Sequence, residues 1–348
     1  MDNFKKVLKE DFNFILNSPL PWHELKNKKI LITGASGFIA SYLIRFLDEA
    51  NNILKLNISI TGTVRDLIRA KKQFISIDNK FLNLEKINIL EPINIDINYD
   101  VIIHMASIAT PKLFGTNPID VVLPNTLGTI NLLNFATSQN LEKFVFFSTT
   151  GVNGFVDDEL RPIPESVYGG LNPNKIENCY LESKRMGENL CTAWHHQKKI
   201  PIQVVRPAIT YGPGVPLDDG RSYADFIKNI LNNENIKLHS KGDAIRNFCY
   251  IADFIVGFFY SFFRGNIGET YNISSENEYS IIELAEILTK DVFREKSLSI
   301  EYDFKNNDFL RVNFLRTTVS TKKLQLLGWK ETYSIQDGMK RTVESYLN

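Results

Sequence analysis

Residues 28–40 read KKILITGASGFIA, and this stretch decides the fold. The apolar run Lys29–Thr33 predicts a strand that passes directly into a turn of small residues and then into a helix. Gly34 permits the tight turn, Gly37 lets the backbone approach a pyrophosphate, and Ala40 allows the helix to pack closely on the strand. A plain turn is the alternative, but this pattern at the first strand-to-helix junction predicts dinucleotide binding. The predicted loop residues are Gly34, Ser36, Gly37, Phe38 and Ile39.

The pattern of an apolar strand followed by a longer helix repeats through the first two hundred residues. The predicted strands are Lys29–Thr33, Ser59–Val64, Ile87–Leu90, Val101–Met105, Lys143–Ser148 and Ile202–Arg206. Helical patterns lie between them, for example at Phe38–Glu49, Pro124–Gln139 and Tyr180–Gln197. Nearly continuous apolar strands that alternate with helices are typical of a parallel sheet covered on both faces. The sequence therefore predicts a doubly wound α/β fold of the Rossmann type.

Three regions are predicted along the chain. Residues 1–27 form a helical extension, because apolar positions between Phe4 and Leu16 recur at helical spacing before two prolines. Residues 28–206 form the dinucleotide-binding domain. Residues 207–348 form mainly a smaller, mixed α/β substrate lobe, with segments that return to the first domain. Within that lobe, the helix Ile281–Thr289 and three loops are predicted at Gly212–Gly220, Asn232–Asn235 and Lys305–Asp308.

Composition excludes several classes of protein. Forty basic residues balance forty acidic ones, so no net charge favours nucleic acid or an anionic membrane. The most apolar stretch, Phe254–Phe263, is about half as long as a membrane-spanning helix and is expected to be a buried helix. The N-terminus lacks a signal-peptide pattern. The three cysteines have no metal-site spacing, and neither do the histidines, so we expect no metal and a cytoplasmic location.

The end of the second strand bears on which dinucleotide binds. A site that prefers NAD usually places a carboxylate at this strand tip for the ribose hydroxyls. Thr63 occupies roughly that tip, and Arg65 follows two residues later, where it can bind a 2′-phosphate. The sequence therefore favours NADP over NAD. The alternative is a solvent-facing Arg65, with the neighbouring Asp66 serving the ribose.

Tyr180 and Lys184 lie one helical turn apart on the same face of a predicted helix. A tyrosine with its usual pKa of about 10 is a poor base at neutral pH. The ammonium of Lys184 and an oxidised nicotinamide are both expected to lower that pKa. The phenol can then exchange a proton with a sugar hydroxyl as hydride moves. Lys184 is also expected to hold the nicotinamide ribose. A Tyr-x-x-x-Lys pair is often structural, but the hydroxyls of Ser148, Thr149 and Thr150 end a strand at the same predicted edge.

Taken in order, these motifs resemble the extended short-chain dehydrogenase/reductase family of nucleotide-sugar epimerases, dehydratases, decarboxylases and ketoreductases. The resemblance covers about residues 28–345. Besides the motifs above, it rests on His104-Met-Ala-Ser107, Asn125-Thr-Leu-Gly128-Thr129, Val205-Arg-Pro207, Arg246-Asn-Phe-Cys-Tyr250, Tyr271-Asn-Ile273 and Leu327-Gly-Trp329. It implies a nucleotide-sugar substrate, an NAD or NADP cofactor and a homodimer joined by paired helices.

The resemblance also implies roles for individual residues. Thr149, Tyr180 and Lys184 look like the catalytic triad. Arg221 and Arg246 resemble arginines that bind the substrate diphosphate, a task suited to the guanidinium fork. Further cofactor contacts are implied for Ala106, Ser107, Asn125 and Pro207, and further substrate contacts for Thr149, Thr150 and Asn178.

The segments Ile89–Pro92, His104–Pro111, Asn178–Arg185 and Asp219–Arg221 are most similar to the UDP-glucuronate decarboxylase branch. Decarboxylases and 4,6-dehydratases of this kind carry acidic residues just after the catalytic threonine, whereas Thr150 and Gly151 follow it here. Without a carboxylate there to transfer a second proton, both reactions are disfavoured. A nucleotide-4-keto-sugar reductase or dehydrogenase is expected, with a 4-epimerase holding tightly bound NAD as the alternative. A non-catalytic dinucleotide-binding relative is disfavoured because Tyr180 and Lys184 are both present.

Overall fold

The computed structural model describes residues 2–218, 220–304 and 314–347 of the chain. The strands in chain order are β1 (Lys29–Thr33), β2 (Ser59–Val64), β3 (Leu82–Lys86), β4 (Val101–His104), β5 (Lys143–Phe147), β6 (Ile202–Pro207), β7 (Ile209–Tyr211), β8 (Ile236–Leu238), β9 (Ile245–Tyr250), β10 (Thr270–Ile273), β11 (Glu278–Ser280) and β12 (Ile300–Tyr302). The α-helices are α1 (Asn3–Leu16), α2 (Phe38–Leu54), α3 (Leu67–Gln73), α4 (Lys112–Thr116), α5 (Pro118–Asn125), α6 (Leu127–Ala136), α7 (Cys179–Lys198), α8 (Ser222–Leu231), α9 (Ile251–Arg264), α10 (Ile281–Glu286), α11 (Lys322–Gln325) and α12 (Ile335–Glu344).

Seven parallel strands form the main sheet in the order β10-β6-β5-β4-β1-β2-β3. Alternate residues of β1 enter two different cores: Ile30 and Ile32 pack into one apolar cluster, and Leu31 packs into the other. Helices therefore cover both faces of the sheet, which confirms the predicted doubly wound α/β fold. The strand order reverses between β1 and β4, and ligands of such sheets bind at this reversal, beyond the carboxyl ends of the strands.

Two smaller sheets lie in the second half of the chain. One has the order β11-β9-β7 and the other pairs β12 with β8. After β9 and α9, the chain returns to the main sheet, where β10 pairs in parallel with β6. The residues that follow β6 and β10 thus lie at the same edge of the main sheet as the loop after β1.

The predicted strand Ile87–Leu90 is wrong. The third strand is β3 at Leu82–Lys86, which pairs in parallel with β2. Ile89 is instead buried beneath the start of α6, where its Cδ1 atom would lie 2.8 Å from a Cβ built on Gly128. The apolar run belongs to packing between a loop and a helix, because β3 is an edge strand and most of its side chains are at least partly exposed.

Helix boundaries also differ from the predictions, and α2 runs to Leu54 instead of ending at Glu49. The single helix expected over Pro124–Gln139 is two helices, α5 and α6, that meet at Thr126. α5 begins at Pro118. Proline is favoured in the first turn of a helix because an N–H at that position would have no partner within the helix. Beyond α10, the chain continues as a π-helix, Ile287–Val292, so this helical segment runs past the predicted end at Thr289. The loop predicted at Lys305–Asp308 lies outside the described residues.

α1 is tied to the rest of the protein by a buried carboxylate. Asp11 is fully buried and accepts hydrogen bonds from Tyr42 on α2 at 2.9 Å and from Tyr250 at 2.7 Å. Its other oxygen forms an ion pair with Arg341 on α12 at 2.6 Å. Burial raises the pKa of Asp11, while Arg341 and the two phenols lower it. One side chain therefore joins helices from both ends of the chain to the core.

The most apolar stretch forms α9, as expected, and α9 is almost wholly buried from Ile251 to Ser261. Its aromatic side chains pack on one another and on Trp22 near the N-terminus. Across the described ranges, no helix combines the length and apolar character needed to cross a bilayer.

Candidate active site

The loop between β1 and α2 has the geometry of a phosphate-binding turn. Gly34 has a φ of +69°, a backbone conformation that residues other than glycine rarely adopt. A Cβ at Gly34 would lie 2.7 Å from the Cα of Ala106, so the loop packs directly against the end of β4. Ser36 and Gly37 are exposed, and α2 begins at Phe38 without a side-chain cap. The first N–H groups of α2 therefore remain available to an anion.

Three serine hydroxyl groups are buried just beyond strands at the carboxyl edge of the sheet. Ser107 follows β4, Ser148 follows β5 and Ser274 follows β10. In the part of the chain that the structure describes, the Oγ atom of each is buried and makes no hydrogen bond. Buried polar atoms are normally paired, so these hydroxyls fit a polar ligand lying across the strand tips. The residues present therefore fit a bound dinucleotide.

Tyr180 lies near the start of α7, with its ring stacked on Phe114 at a centroid distance of 5.2 Å. Its phenol is hydrogen-bonded to the hydroxyl of Thr149 at the end of β5. Burial raises the pKa of Tyr180 to about 12, while the positive charge of Arg221 and the Thr149 hydrogen bond lower it. The protein alone thus keeps the phenol protonated at neutral pH and supplies one cation and one hydroxyl that stabilise the phenolate.

Lys184 lies on α7 with its ammonium bonded to the end of β5. Its ammonium donates a 2.6 Å hydrogen bond to the carbonyl oxygen of Phe147 and lies 5.0 Å from the centre of the Phe146 ring. Burial lowers the pKa of Lys184 to about 7. The positive charge of Arg221 lowers the pKa of Tyr180, and a similar effect of Lys184 stays a prediction. A role for Lys184 with the nicotinamide ribose stays a prediction.

A chain of buried hydrogen bonds connects the phosphate loop to α7, and sequence reasoning missed it. Thr33, just before Gly34, bonds to Nδ1 of His104 at 2.8 Å, and Nε2 of His104 bonds to Thr129 at 3.1 Å. Thr129 donates to the carbonyl oxygen of Asn125, whose amide donates to Ser183 beside Lys184. Burial lowers the pKa of His104 to about 3, so this imidazole is neutral. The motifs held these residues, but nothing in their spacing showed that they are bonded to one another.

The tip of β2 carries the residues that bear on cofactor choice. Thr63 is buried, and its carbonyl oxygen accepts the N–H of Ala35 in the phosphate loop. Arg65 follows β2 and is exposed. Asp66 caps α3, with one carboxylate oxygen accepting the backbone N–H of Arg69 at 3.0 Å. Arg65 can therefore reach a ligand at this tip, whereas Asp66 already uses one oxygen to hold the next helix.

The predicted substrate residues lie in two places. Thr150 and Asn178 are buried near Thr149 and Tyr180 in the chain, and Arg221 is close enough to Tyr180 to lower its pKa. One Nη atom of Arg221 donates to the carbonyl oxygen of Ala109 at 2.8 Å. Arg246 on β9 instead donates to carbonyl oxygens of residues 245, 314 and 315. Pro207, for which the resemblance implies a cofactor contact, ends β6 opposite Ile273 of β10.

No side chain occupies the position two residues after Thr149. A Cβ at Gly151 would lie 2.6 Å from the Cδ2 atom of Leu181, which is itself buried. A side chain at residue 151 would therefore require the side chain of Leu181 to shift. In this sequence, Thr150 and Gly151 place no carboxylate at the two positions after Thr149.

These features define a class of enzyme. Its dinucleotide-binding loop lies where the strand order of the sheet reverses, and a helix that carries Tyr180 and Lys184 lies beside the strand end that carries the Thr149 hydroxyl. A family model described as the NAD dependent epimerase/dehydratase family matches residues 30–274. The chain is 31% identical over 335 residues to UDP-glucuronic acid decarboxylase 3 of Arabidopsis thaliana, covering 94% of this chain and 93% of the relative. It is 28% identical to UDP-glucuronic acid decarboxylase 1 of Xenopus tropicalis, covering 93% and 73%.

A solved structure shows the same fold. UDP-glucuronic acid 4-epimerase from Bacillus cereus in complex with NAD superposes with a TM-score of 0.73 and 26% identity, covering 91% of this chain and 96% of the epimerase. The chain belongs to the NAD dependent epimerase/dehydratase family. It is an enzyme of the nucleotide-sugar epimerase/dehydratase type, which confirms the resemblance found in the sequence.

Proposed function

We propose that the chain is an NADP(H)-dependent reductase of a nucleotide-linked 4-keto-sugar. The observation that carries the proposal is the absence of a carboxylate at the two positions after Thr149, because dehydration or decarboxylation requires a second proton-transferring group there. Tyr180 and Thr149 are then sufficient for a reaction that needs one hydride and one proton.

The protein's own residues supply the proton and the orientation. The dinucleotide supplies the hydride when it is bound. Tyr180 donates its phenolic proton to the sugar oxygen as the C4 carbonyl becomes an alcohol, and Thr149 hydrogen-bonds to the phenol. Since the pKa of Tyr180 is raised, the phenol is protonated at neutral pH and suits the reductive direction. Lys184, bonded to the carbonyl oxygen of Phe147, holds α7 against the end of β5.

The proposal predicts reversible cofactor binding. Purified protein is expected to consume added NADPH when given a UDP-linked 4-keto-sugar, since the curated relatives are named for a UDP-sugar. The measurement is NADPH oxidation, followed by denaturation of the protein and identification of any released dinucleotide by mass. Stoichiometric NAD that is released only on denaturation would contradict the reductase and support the epimerase.

A 4-epimerase is the second candidate, and the structural similarity to the Bacillus cereus epimerase favours it. An epimerase oxidises C4, lets the ketone turn over and returns hydride to the opposite face. The same tyrosine would first accept and then return the proton. NAD is the cofactor in that epimerase structure, so cofactor identity separates the two candidates.

Replacing Arg65 by Ala is expected to weaken NADPH binding by about tenfold or more and NADH binding by less than about twofold. A guanidinium–phosphate hydrogen bond contributes about 1.5–3 kcal/mol, and only NADPH carries the 2′-phosphate. Calorimetric titration of both cofactors measures the ratio. Lys71→Ala, which removes an exposed cation from the same strand-to-helix region, is the control. Equal losses for the two cofactors would instead favour NAD, with Asp66 at the ribose.

The assembly is also a proposal. The resemblance implies a homodimer joined by paired helices, and apolar side chains on these helices are exposed. Ile119 on α5 is 70% exposed and Met186 on α7 is 50% exposed. Burial of such side chains favours association, so this face is the proposed dimer contact.

A further inference from the structure

Two arginines outside the catalytic triad lie close together with little negative charge around them. Arg161 follows a short 3-10 turn, Asp158–Leu160, and its side chain is only 6% exposed. Arg246 lies on β9 of the smaller lobe. The rings of Phe155 and Phe314 join the two segments, with centroids 4.5 Å apart. Arg161 donates a hydrogen bond to the carbonyl oxygen of Val156, the residue after Phe155. Arg246 donates a hydrogen bond to the carbonyl oxygen of Phe314.

The hydrogen bonds of Arg161 leave part of its guanidinium unused. Nε bonds to Asp158 at 2.6 Å, and Nη2 bonds to the carbonyl oxygen of Val156 at 2.9 Å. Nη1 is buried and has no hydrogen-bond partner in the described part of the chain. A buried donor without a partner costs about 1–3 kcal/mol, so its persistence points to a ligand that satisfies it.

The charges of this pair are poorly balanced. Within the described residues, Arg246 has no carboxylate at ion-pair distance and donates only to backbone carbonyl oxygens. Burial, followed by the positive charge of Arg161, lowers the pKa of Arg246 to about 10. Asp158 is the only carboxylate bonded to either arginine in the described chain, and it is 75% exposed. An oxyanion placed between the guanidiniums would offset their repulsion.

We propose that Arg161 and Arg246 together bind an oxyanion of the substrate, which makes Arg161 a specificity-determining residue. The proposal rests on the proposed nucleotide-sugar function. The oxyanion is either the diphosphate or a carboxylate on the sugar, because both accept paired hydrogen bonds from guanidinium. Arg161 lies twelve residues after Thr149 in the chain, beyond the 3-10 helix Thr150–Asn153.

The test compares binding of UDP, UDP-glucose and UDP-glucuronate to the wild-type protein and to Arg161→Gln, by calorimetry with NADPH present. We expect about a tenfold loss, the size of one charge-assisted hydrogen bond. A loss with all three probes identifies the diphosphate as the oxyanion. A loss confined to UDP-glucuronate identifies the sugar carboxylate. Unchanged affinity for all three would overturn the inference.

Asp158→Asn is the matched control, because it removes the carboxylate partner of Arg161 and keeps the guanidinium. If Arg161 serves an anion, this variant should bind the probes as tightly as wild type or more tightly. If Arg161 only braces the turn, Asp158→Asn should lose as much affinity as Arg161→Gln, which would overturn the inference. A wild-type protein that binds none of the three probes and no inorganic pyrophosphate would contradict the proposed function itself. A protein that binds the probes as expected but proves to be an epimerase would still support the inference, because both enzymes bind a nucleotide sugar.

Discussion

Replacing Tyr180 by Phe is expected to lower turnover by about a hundredfold or more while leaving NADPH affinity nearly unchanged. The phenylalanine ring keeps the stacking on Phe114 but has no proton to donate to the sugar oxygen. Thr149 loses its hydrogen-bond partner at the same time. The hydride donor is still bound, so the loss should fall on kcat and not on the dissociation constant of the cofactor.

Steady-state kinetics and cofactor titration of the same preparation measure the two quantities. Tyr302→Phe removes a phenolic oxygen from a 54% exposed tyrosine on β12 and serves as the control. Turnover of the Tyr180 variant equal to that of the control would exclude the phenol as the proton donor.

The raised pKa of Tyr180 also sets a pH dependence. A group that must be protonated to act as an acid loses activity as the pH rises through its pKa, and here that pKa is about 12. The rate of ketone reduction should therefore not decline between about pH 7 and about pH 9 through loss of this proton. Oxidation in the reverse direction requires the phenolate, so its rate should rise over the same range.

Replacing Asp11 by Ala is expected to lower the free energy of unfolding by about 3 kcal/mol or more. The change removes the buried partner of Arg341 and leaves the hydroxyls of Tyr42 and Tyr250 without an acceptor at 2.9 Å and 2.7 Å. Helices α1, α2 and α12 thereby lose the contacts that the Asp11 carboxylate makes between them. Urea denaturation followed by circular dichroism measures the difference.

Glu10→Ala is the matched control for this prediction. Glu10 is the neighbouring residue, pairs with the same Arg341 at 2.9 Å and is 48% exposed. Exposed ion pairs contribute about 0–1 kcal/mol, so this loss should be small. Equal losses for the two variants would show that burial of the Asp11 carboxylate contributes nothing beyond an exposed pair.

The fold could be predicted where the determinants are local. The glycine positions of the first turn and the apolar strands β1, β4, β5 and β6 are visible in short windows of sequence, and they define the sheet. β3 could not be found this way, because an edge strand with partly exposed side chains has a weak pattern and the apolar run Ile87–Leu90 follows it directly. Ile89 is apolar because it packs under α6, a contact between segments far apart in the sequence.

The site shows the same difference between features that are local in the sequence and features that depend on tertiary packing. The sequence indicated Thr149, Tyr180 and Lys184 together, but the partner of each depends on tertiary packing. The ammonium of Lys184 reaches a backbone carbonyl oxygen, which no residue pattern can predict. Arg161 went unnoticed because it lies in an irregular loop with no motif, and its significance appears only beside Arg246.

The return of β10 to the main sheet has a consequence for synthesis on the ribosome. β6 pairs with β5 on one side, and among the described residues its other edge is paired only by residues 270–273. That edge stays open while about sixty intervening residues emerge, a delay of several seconds at ordinary translation rates. Open strand edges recruit other chains, so this edge of the nascent protein is prone to aggregation until β10 pairs with it.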